Sequence, residues 1–192
     1  RFAGGDLSVA GASFRVEDRQ VDDRFRPLVA RDATLHLHGS DFAALALLRE
    51  PKSDRAVVEA RIAHDTADGI GYADLAVPGI VFDSGLQPDT LSALALGVIA
   101  NARGTVTGEG RIDWNPATVT STGRFRTDGL DFAAAFGPVK GTSGTVEFSD
   151  LIGLVTAPDQ RLKIASINPG IEVLNGEVAF AMQPDRVLII NG

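Results

Sequence analysis

Between Gly104 and Arg126 the chain alternates with a period of two, and this pattern restricts the fold more than any other feature. Val106, Gly108, Gly110, Ile112 and Trp114 fall on even positions, with Thr105, Thr107, Glu109, Arg111 and Asp113 between them. After Asn115-Pro116-Ala117 the parity inverts. Val119, Ser121, Gly123 and Phe125 now alternate with Thr118, Thr120, Thr122, Arg124 and Arg126. Successive side chains on a strand point to opposite faces, so this is a hairpin with one apolar face and one wet face. The Asn-Pro-Ala stretch is its turn.

Weaker runs of the same kind predict strands over 7–16, 33–38, 57–64, 71–77, 80–82, 143–148 and 162–167. Ile171 and Val173 lead into Asn175-Gly176, followed by Val178, Phe180 and Met182. Asn-Gly is a favoured type I′ pair, so a second hairpin is expected there. Gln183-Pro184-Asp185-Arg186 reads as a turn before a last strand, 187–190. Two short helices are also expected. Ser40-Asp41 is placed to cap one over 42–48. Pro88-Asp89 opens another toward Ala102, with Leu91, Leu94, Ala95 and Val98 at helical spacing. Glycine, 21 residues in all, is spread through the alternating segments as turns and strands require.

Several chemistries are excluded. With no cysteine, the chain holds no disulfide, zinc thiolate or thiol nucleophile. A net charge of −7 with scattered Lys and Arg disfavours nucleic acid, which calls for a basic patch. The most apolar stretch, 91–102, is shorter than the about 20 residues a spanning helix needs. His36 and His38 share a strand face, and His64 is a potential third metal ligand. Alternation nonetheless puts Ala33, Leu35 and Leu37 on the buried side and both histidines on the wet one. Asp65 to Gly69 lacks the downstream glutamate of a calcium loop and reads as a turn. No nucleophile elbow and no phosphate-cradling lysine loop occurs, so the chain does not read as an enzyme and calls for no cofactor or metal.

So many one-sided strands create a large apolar sheet surface. A sandwich hides such a surface between two sheets, whereas an open curved sheet leaves it lining a groove. Alternation alone leaves both designs open. The alternative functions are a structural or interaction module that binds through its sheet edges, and a dicarboxylate-binding domain, which would need convergent basic groups.

Three segments resemble the YdbH-like family, also described as a "dicarboxylate transport" domain. They are Phe148-Ser149-Asp150-Leu151-Ile152-Gly153-Leu154, Pro158-Asp159-Gln160-Arg161-Leu162 and Ser166-Ile167-Asn168-Pro169-Gly170-Ile171. Arg1-Phe2-Ala3-Gly4-Gly5-Asp6-Leu7 is similar to the Phe-x-Gly-Gly-x-Leu element of the same family. The match is firm over residues 104–190. Membership in the AsmA-like superfamily would follow. The resemblance implies a mainly β fold, an antiparallel, curved, open sheet forming an apolar groove with one or two short helices. Residues 1–192 would then be a single groove segment of a longer protein, anchored in the inner membrane outside this segment and lying in the periplasm. Its implied role is to carry phospholipid between inner and outer membranes. The implied partners are phospholipid acyl chains, neighbouring repeats of the parent chain and an outer-membrane partner protein. Residues expected to line the groove are Val106, Ile112, Trp114, Val119, Phe125, Val146, Phe148, Leu162, Ile164, Ile171, Val173, Val178 and Phe180.

Overall fold

The computed structural model describes residues 5–19, 24–184 and 187–191. The strands are β1 (Asp6–Val16), β2 (Leu28–His38), β3 (Asp41–Arg49), β4 (Ala56–Asp65), β5 (Gly71–Phe82) and β6 (Ala100–Trp114). They continue with β7 (Val119–Ala134), β8 (Gly137–Asp150), β9 (Val155–Thr156), β10 (Gln160–Ile167), β11 (Val173–Gln183) and β12 (Val187–Asn191). All join one antiparallel sheet in chain order, except that the short β9 pairs beside β8. The sheet does not close, and β1 and β12 are its edges.

Local chemistry explains most of the reversals. Between β6 and β7 the Asn115 side chain accepts the amides of Ala117 (2.9 Å) and Thr118 (3.0 Å), which makes an Asx-turn of the expected Asn-Pro-Ala stretch. Asp65 and Asp68 likewise accept the amides of Ala67 and Ile70 between β4 and β5. Gly39 takes φ +60 at the first central position of the two-residue turn joining β2 to β3, as a type II′ hairpin requires.

Three expectations fail for physical reasons. Residues 42–48 are strand β3. Phe-Ala-Ala-Leu-Ala-Leu-Leu is apolar at every position and so carries no period, and pairing with both β2 and β4 overrides its helix propensity. No α-helix forms over 89–102. Two single 3-10 turns, Pro88–Thr90 and Ala93–Ala95, flank an extended Ser92, and β6 claims the chain from Ala100. The expected Asn175-Gly176 hairpin is one continuous strand, β11, paired along β10 from Val173 to Phe180. Only Asn175 adopts positive φ (+54), whereas a type I′ turn needs it at both central residues. The pairing register is the same on both sides of Asn175, so the strand runs on. The segments expected at 71–77 and 80–82 also merge into one strand, with a bulge at Pro78-Gly79 opposite β6. Arg1 to Gly4, which open the Phe-x-Gly-Gly element, and Asp185-Arg186 of the last turn lie outside the described residues.

The core sits on one face of β1 to β6. Ala30, Ala46, Ala60, Val77, Phe82 and Ala102 belong to a buried cluster, and the β5–β6 connection closes over it with Leu86 (1% exposed), Leu91 and Ile99. That connection is pinned at both ends. The Gln87 amide pairs with both backbone groups of Ala102 at 2.9 Å. The Leu91 carbonyl accepts Arg26 N (2.8 Å), and Ser92 Oγ donates to the Arg24 carbonyl (2.7 Å).

Between β3 and β4 the buried Glu50 carboxylate accepts the amides of Ser53 (2.6 Å) and Lys52 (3.1 Å). Burial pushes its pKa up, but these hydrogen bonds outweigh burial and hold it below the usual glutamate value. A carboxyl group lowered in the folded state stabilises the fold above its unfolded pKa, and that stabilisation is lost as pH falls through the folded value. Glu50→Gln is expected to cost about 1 to 2 kcal/mol in urea denaturation at neutral pH. The gap to the parent chain should narrow in acid, and a gap independent of pH would mean the carboxylate does not act this way. The outermost strand β12 exposes Val187, Leu188, Ile189 and Ile190 beside an unpaired backbone edge. Such edges recruit further strands, so sedimentation velocity is expected to show association rising with concentration.

Candidate functional site

Directly paired residues of an antiparallel sheet share a face, so the register sorts the side chains without ambiguity. One row runs Leu37, Phe42, His64, Gly71, Trp114, Val119 from β2 to β7. The next runs Leu35, Ala44, Ile62, Ala73, Ile112, Ser121 over the same strands. A third runs Ala46, Ala60, Leu75, Gly110, Gly123, Phe148 from β3 to β8. Val77, Gly108, Phe125 and Val146 form a fourth. The register extends the face through Leu162 and Val178, with Phe180 and Ile190 beyond them. Nearly every position is apolar or glycine.

The opposite face is a ladder of charges. Arg111 meets Asp74 (2.7 Å) and Asp113 (3.0 Å), Arg124 meets Glu147 (3.6 Å), and Arg161 meets Glu177 (2.7 Å). A depression of 650 Å³ here is lined by Arg61, Asp74, Glu109, Arg111, Arg124 and Glu147 among others. Hydrogen bonds that Arg111 donates to Asp113 and then to Asp74 hold it more firmly protonated than usual. Each of the three arginines there already meets a carboxylate, so the depression lacks the free basic groups that a dicarboxylate needs.

The expected lining residues divide into two groups. Val106, Ile112, Trp114, Phe125, Val146, Phe148, Leu162, Val178 and Phe180 are half-buried, and Ile164 is buried. Phe125 and Phe148 meet edge to face, with centroids 5.8 Å apart. Val119 opens β7 opposite Trp114 and is 61% exposed. Ile171 stands in the β10–β11 connection, 81% exposed, and Val173 opens β11 opposite Ile167, at odd parity against the even Val178 and Phe180. Ile171 and Val173 are thus not brought into the rows.

Glycines set the relief of the apolar face. A methyl group on Gly71 would lie 2.6 Å from the Trp114 ring, and one on Gly108 2.6 Å from Phe125. Large side chains lie flat across the sheet where glycine makes room. Sequence reasoning missed two contributors. Leu151, beyond the end of β8, lies over Gly110 and Gly123, and the buried Ser121 anchors its loop. A serine on the apolar parity of β7 was the available signal.

His36 and His38 are exposed, on the face opposite Leu35 and Leu37, as alternation placed them. His36 pairs with Ser8 and His38 with Asp6. His64 is instead in the first apolar row, where Nδ1 lies 3.1 Å from both the Trp114 indole N–H and the Ile70 carbonyl. The tautomer decides which bond is made. Among the described residues no three His, Asp or Glu converge as a metal site, and no helix is long and apolar enough to cross a membrane.

An open antiparallel sheet with one largely apolar face and one charge-laddered face defines a class of all-β protein that presents an extended apolar surface. The chain belongs to the YdbH-like family, described as "Intermembrane phospholipid transport protein YdbH", whose model matches residues 1–190. The match includes the first hundred residues, where the sequence offered little beyond the opening Phe-x-Gly-Gly element. The family is one of lipid transport proteins, not of enzymes. No curated protein and no solved structure matches the chain.

Trp114 is the single tryptophan, so its emission reports this corner of the face alone. His64→Phe should red-shift that emission as water replaces the ring nitrogen, and should cost about 1 kcal/mol. An unshifted spectrum would show that the indole N–H does not depend on His64.

Proposed function

We propose that this chain is a single segment, 1–192, of a longer periplasmic protein anchored in the inner membrane, and that its apolar face carries phospholipid between inner and outer membranes. The supporting observation is the largely apolar face running through the rows of an open sheet, backed by an opposite face that carries the charged ladder. The family description points the same way. Acyl chains gain about 0.8 kcal/mol for each methylene taken out of water, so ten methylenes laid on this surface contribute about 8 kcal/mol before the cost of immobilising the lipid. That is ample to extract a chain partway, while a headgroup stays at the solvent side. The groove-lining set is Val106, Ile112, Trp114, Phe125, Val146, Phe148, Leu162, Ile164, Val178 and Phe180, with Val119 at its rim.

The bare edges β1 and β12 support a second element of this reading, that neighbouring repeats of the parent chain continue the sheet on either side. An outer-membrane partner protein would complete the route at the far end. Transfer along a surface needs no bond making or breaking.

Native mass spectrometry of the protein purified from bacterial membranes, with lipid extraction alongside, is expected to find co-purifying phospholipid. Ile112→Asp, Phe125→Asp and Phe180→Asp should each lower that occupancy by tenfold or more, since one carboxylate costs several kcal/mol against an acyl chain. Circular dichroism checks that each variant keeps its sheet. Folded variants that retain lipid, or a folded parent chain that never carries any, would refute the proposal and leave the edge-binding structural module as the better account.

A further inference from the structure

The loop 151–154 occupies the apolar face at a position prepared for it. β8 ends at Asp150 and β9 starts at Val155, and between them Leu151 reaches back across the sheet to β6 and β7. Gly110 and Gly123 are directly paired, one on each strand. A methyl group on Gly110 would stand 2.6 Å from Leu151 Cδ2, and one on Gly123 3.1 and 3.2 Å from its two terminal carbons. The two glycines make a furrow in the row between Leu75 and Phe148, and the leucine side chain fills it. Leu151 thus lies over this row between Leu75 on β5 and Phe148 on β8.

The loop is held by a small polar hinge. Ser121 Oγ, 4% exposed, donates to Asp150 Oδ1 (2.6 Å) and accepts Ile152 N (3.0 Å). The same carboxylate oxygen accepts Gly153 N (3.0 Å). Beyond the hinge, Leu154 sits at φ +54, a left-handed conformation that branched and bulky side chains rarely adopt. Residues 151–154 are half-buried throughout and none is fully enclosed. Backbone held in a rarely used region persists only where its surroundings impose it, so this loop has a reason to leave when those surroundings change.

We propose that loop 151–154 is a displaceable gate. Leu151 fills the Gly110–Gly123 furrow when no lipid is present, and a phospholipid acyl chain entering the furrow lifts it out about the Ser121–Asp150 hinge. An isobutyl group and a polymethylene chain present the same surface to the furrow, so each excludes the other. This rests on the lipid-carrying reading and assigns it a subsite and a means of control. The gate keeps the furrow dry in the empty protein, where a bare apolar trough would recruit another copy or adventitious ligands.

The chain has no cysteine, so Ile152→Cys introduces one thiol in the gate and leaves Leu151 in place. The full chain is loaded from vesicles with phosphatidylethanolamine carrying one nitrobenzoxadiazole-labelled acyl chain, and loading is read from the label's emission. The thiol should react with a charged maleimide roughly tenfold faster in loaded than in empty protein, as the gate shifts to its open state. Leu151→Gly, which leaves the furrow empty, should raise lipid occupancy at limiting lipid, and Gly123→Val, which fills it, should lower occupancy. If lipid loads and thiol reactivity stays unchanged, the gate is wrong while the transport reading stands. If Leu151→Gly lowers occupancy, the loop is a structural brace and the gate is overturned. If the parent chain takes up no lipid at all, the transport reading fails and the gate fails with it.

Discussion

A wide antiparallel sheet commits every residue to one of two faces, and a chain that makes little else has few segments left with which to cover either. Everything distinctive about this molecule follows from how it meets that constraint. The register from β1 to β12 carries apolar side chains and glycines onto a single face. Burial of that face supplies the main favourable term, because apolar area removed from water dominates folding energetics. Among the described residues, two stretches outside the sheet lie on it. The β5–β6 connection closes the part over β1 to β6 with Leu86, Leu91 and Ile99, and the loop after β8 places Leu151 on β6 and β7. The rest of the face is half-buried at Leu162, Val178 and Phe180 and exposed along β12.

The two covers differ in kind. The first is fastened to backbone groups of the chain by the side chains of Gln87 and Ser92 and by the Leu91 carbonyl, and carries a side chain that is 1% exposed. It behaves as core. The second is anchored by Ser121 and Asp150 and closed by a bond from Leu154 N to the Leu151 carbonyl (3.2 Å), and none of its residues is fully buried. Local stability follows contact density, so the same apolar face is rigid at one end and yielding at the other. On the proposed lipid-carrying reading, that asymmetry would let one end keep the sheet folded while the other exchanges its covering.

The charge ladder on the opposite face serves a different purpose. Exposed ion pairs such as Arg111 with Asp74 and Arg124 with Glu147 are worth about 0 to 1 kcal/mol each and do not hold the sheet together. They disfavour slipped registers, because a one-residue shift would carry Arg and Asp onto the apolar side and Ile and Phe into water. They also keep the reverse side from becoming a second apolar surface, which gives the sheet a defined inside.

What the sequence determined by itself was the two-faced character of the strands. The parity of Val106 to Trp114, its inversion at Val119 to Phe125 and the Asx chemistry of Asn115 are local, so the central hairpin and the wet placement of His36 and His38 were legible directly. The YdbH-like motifs were legible too, as residue patterns. What only the tertiary structure decided were the features set by neighbouring strands. Residues 42–48 carry no period, and their strand form comes from partners on both sides. Asn175-Gly176 favours a turn locally, but continued pairing with β10 keeps β11 running. The 89–102 stretch has helical spacing, yet β6 needs its last residues for the ladder. The seat of Leu151 over Gly110 and Gly123 lies beyond any local pattern, because it joins residues 28 and more positions apart through the sheet register. Backbone hydrogen bonding to a neighbouring strand satisfies the same groups a helix or turn would satisfy internally. Where both solutions are open to a segment, the neighbours decide which is adopted.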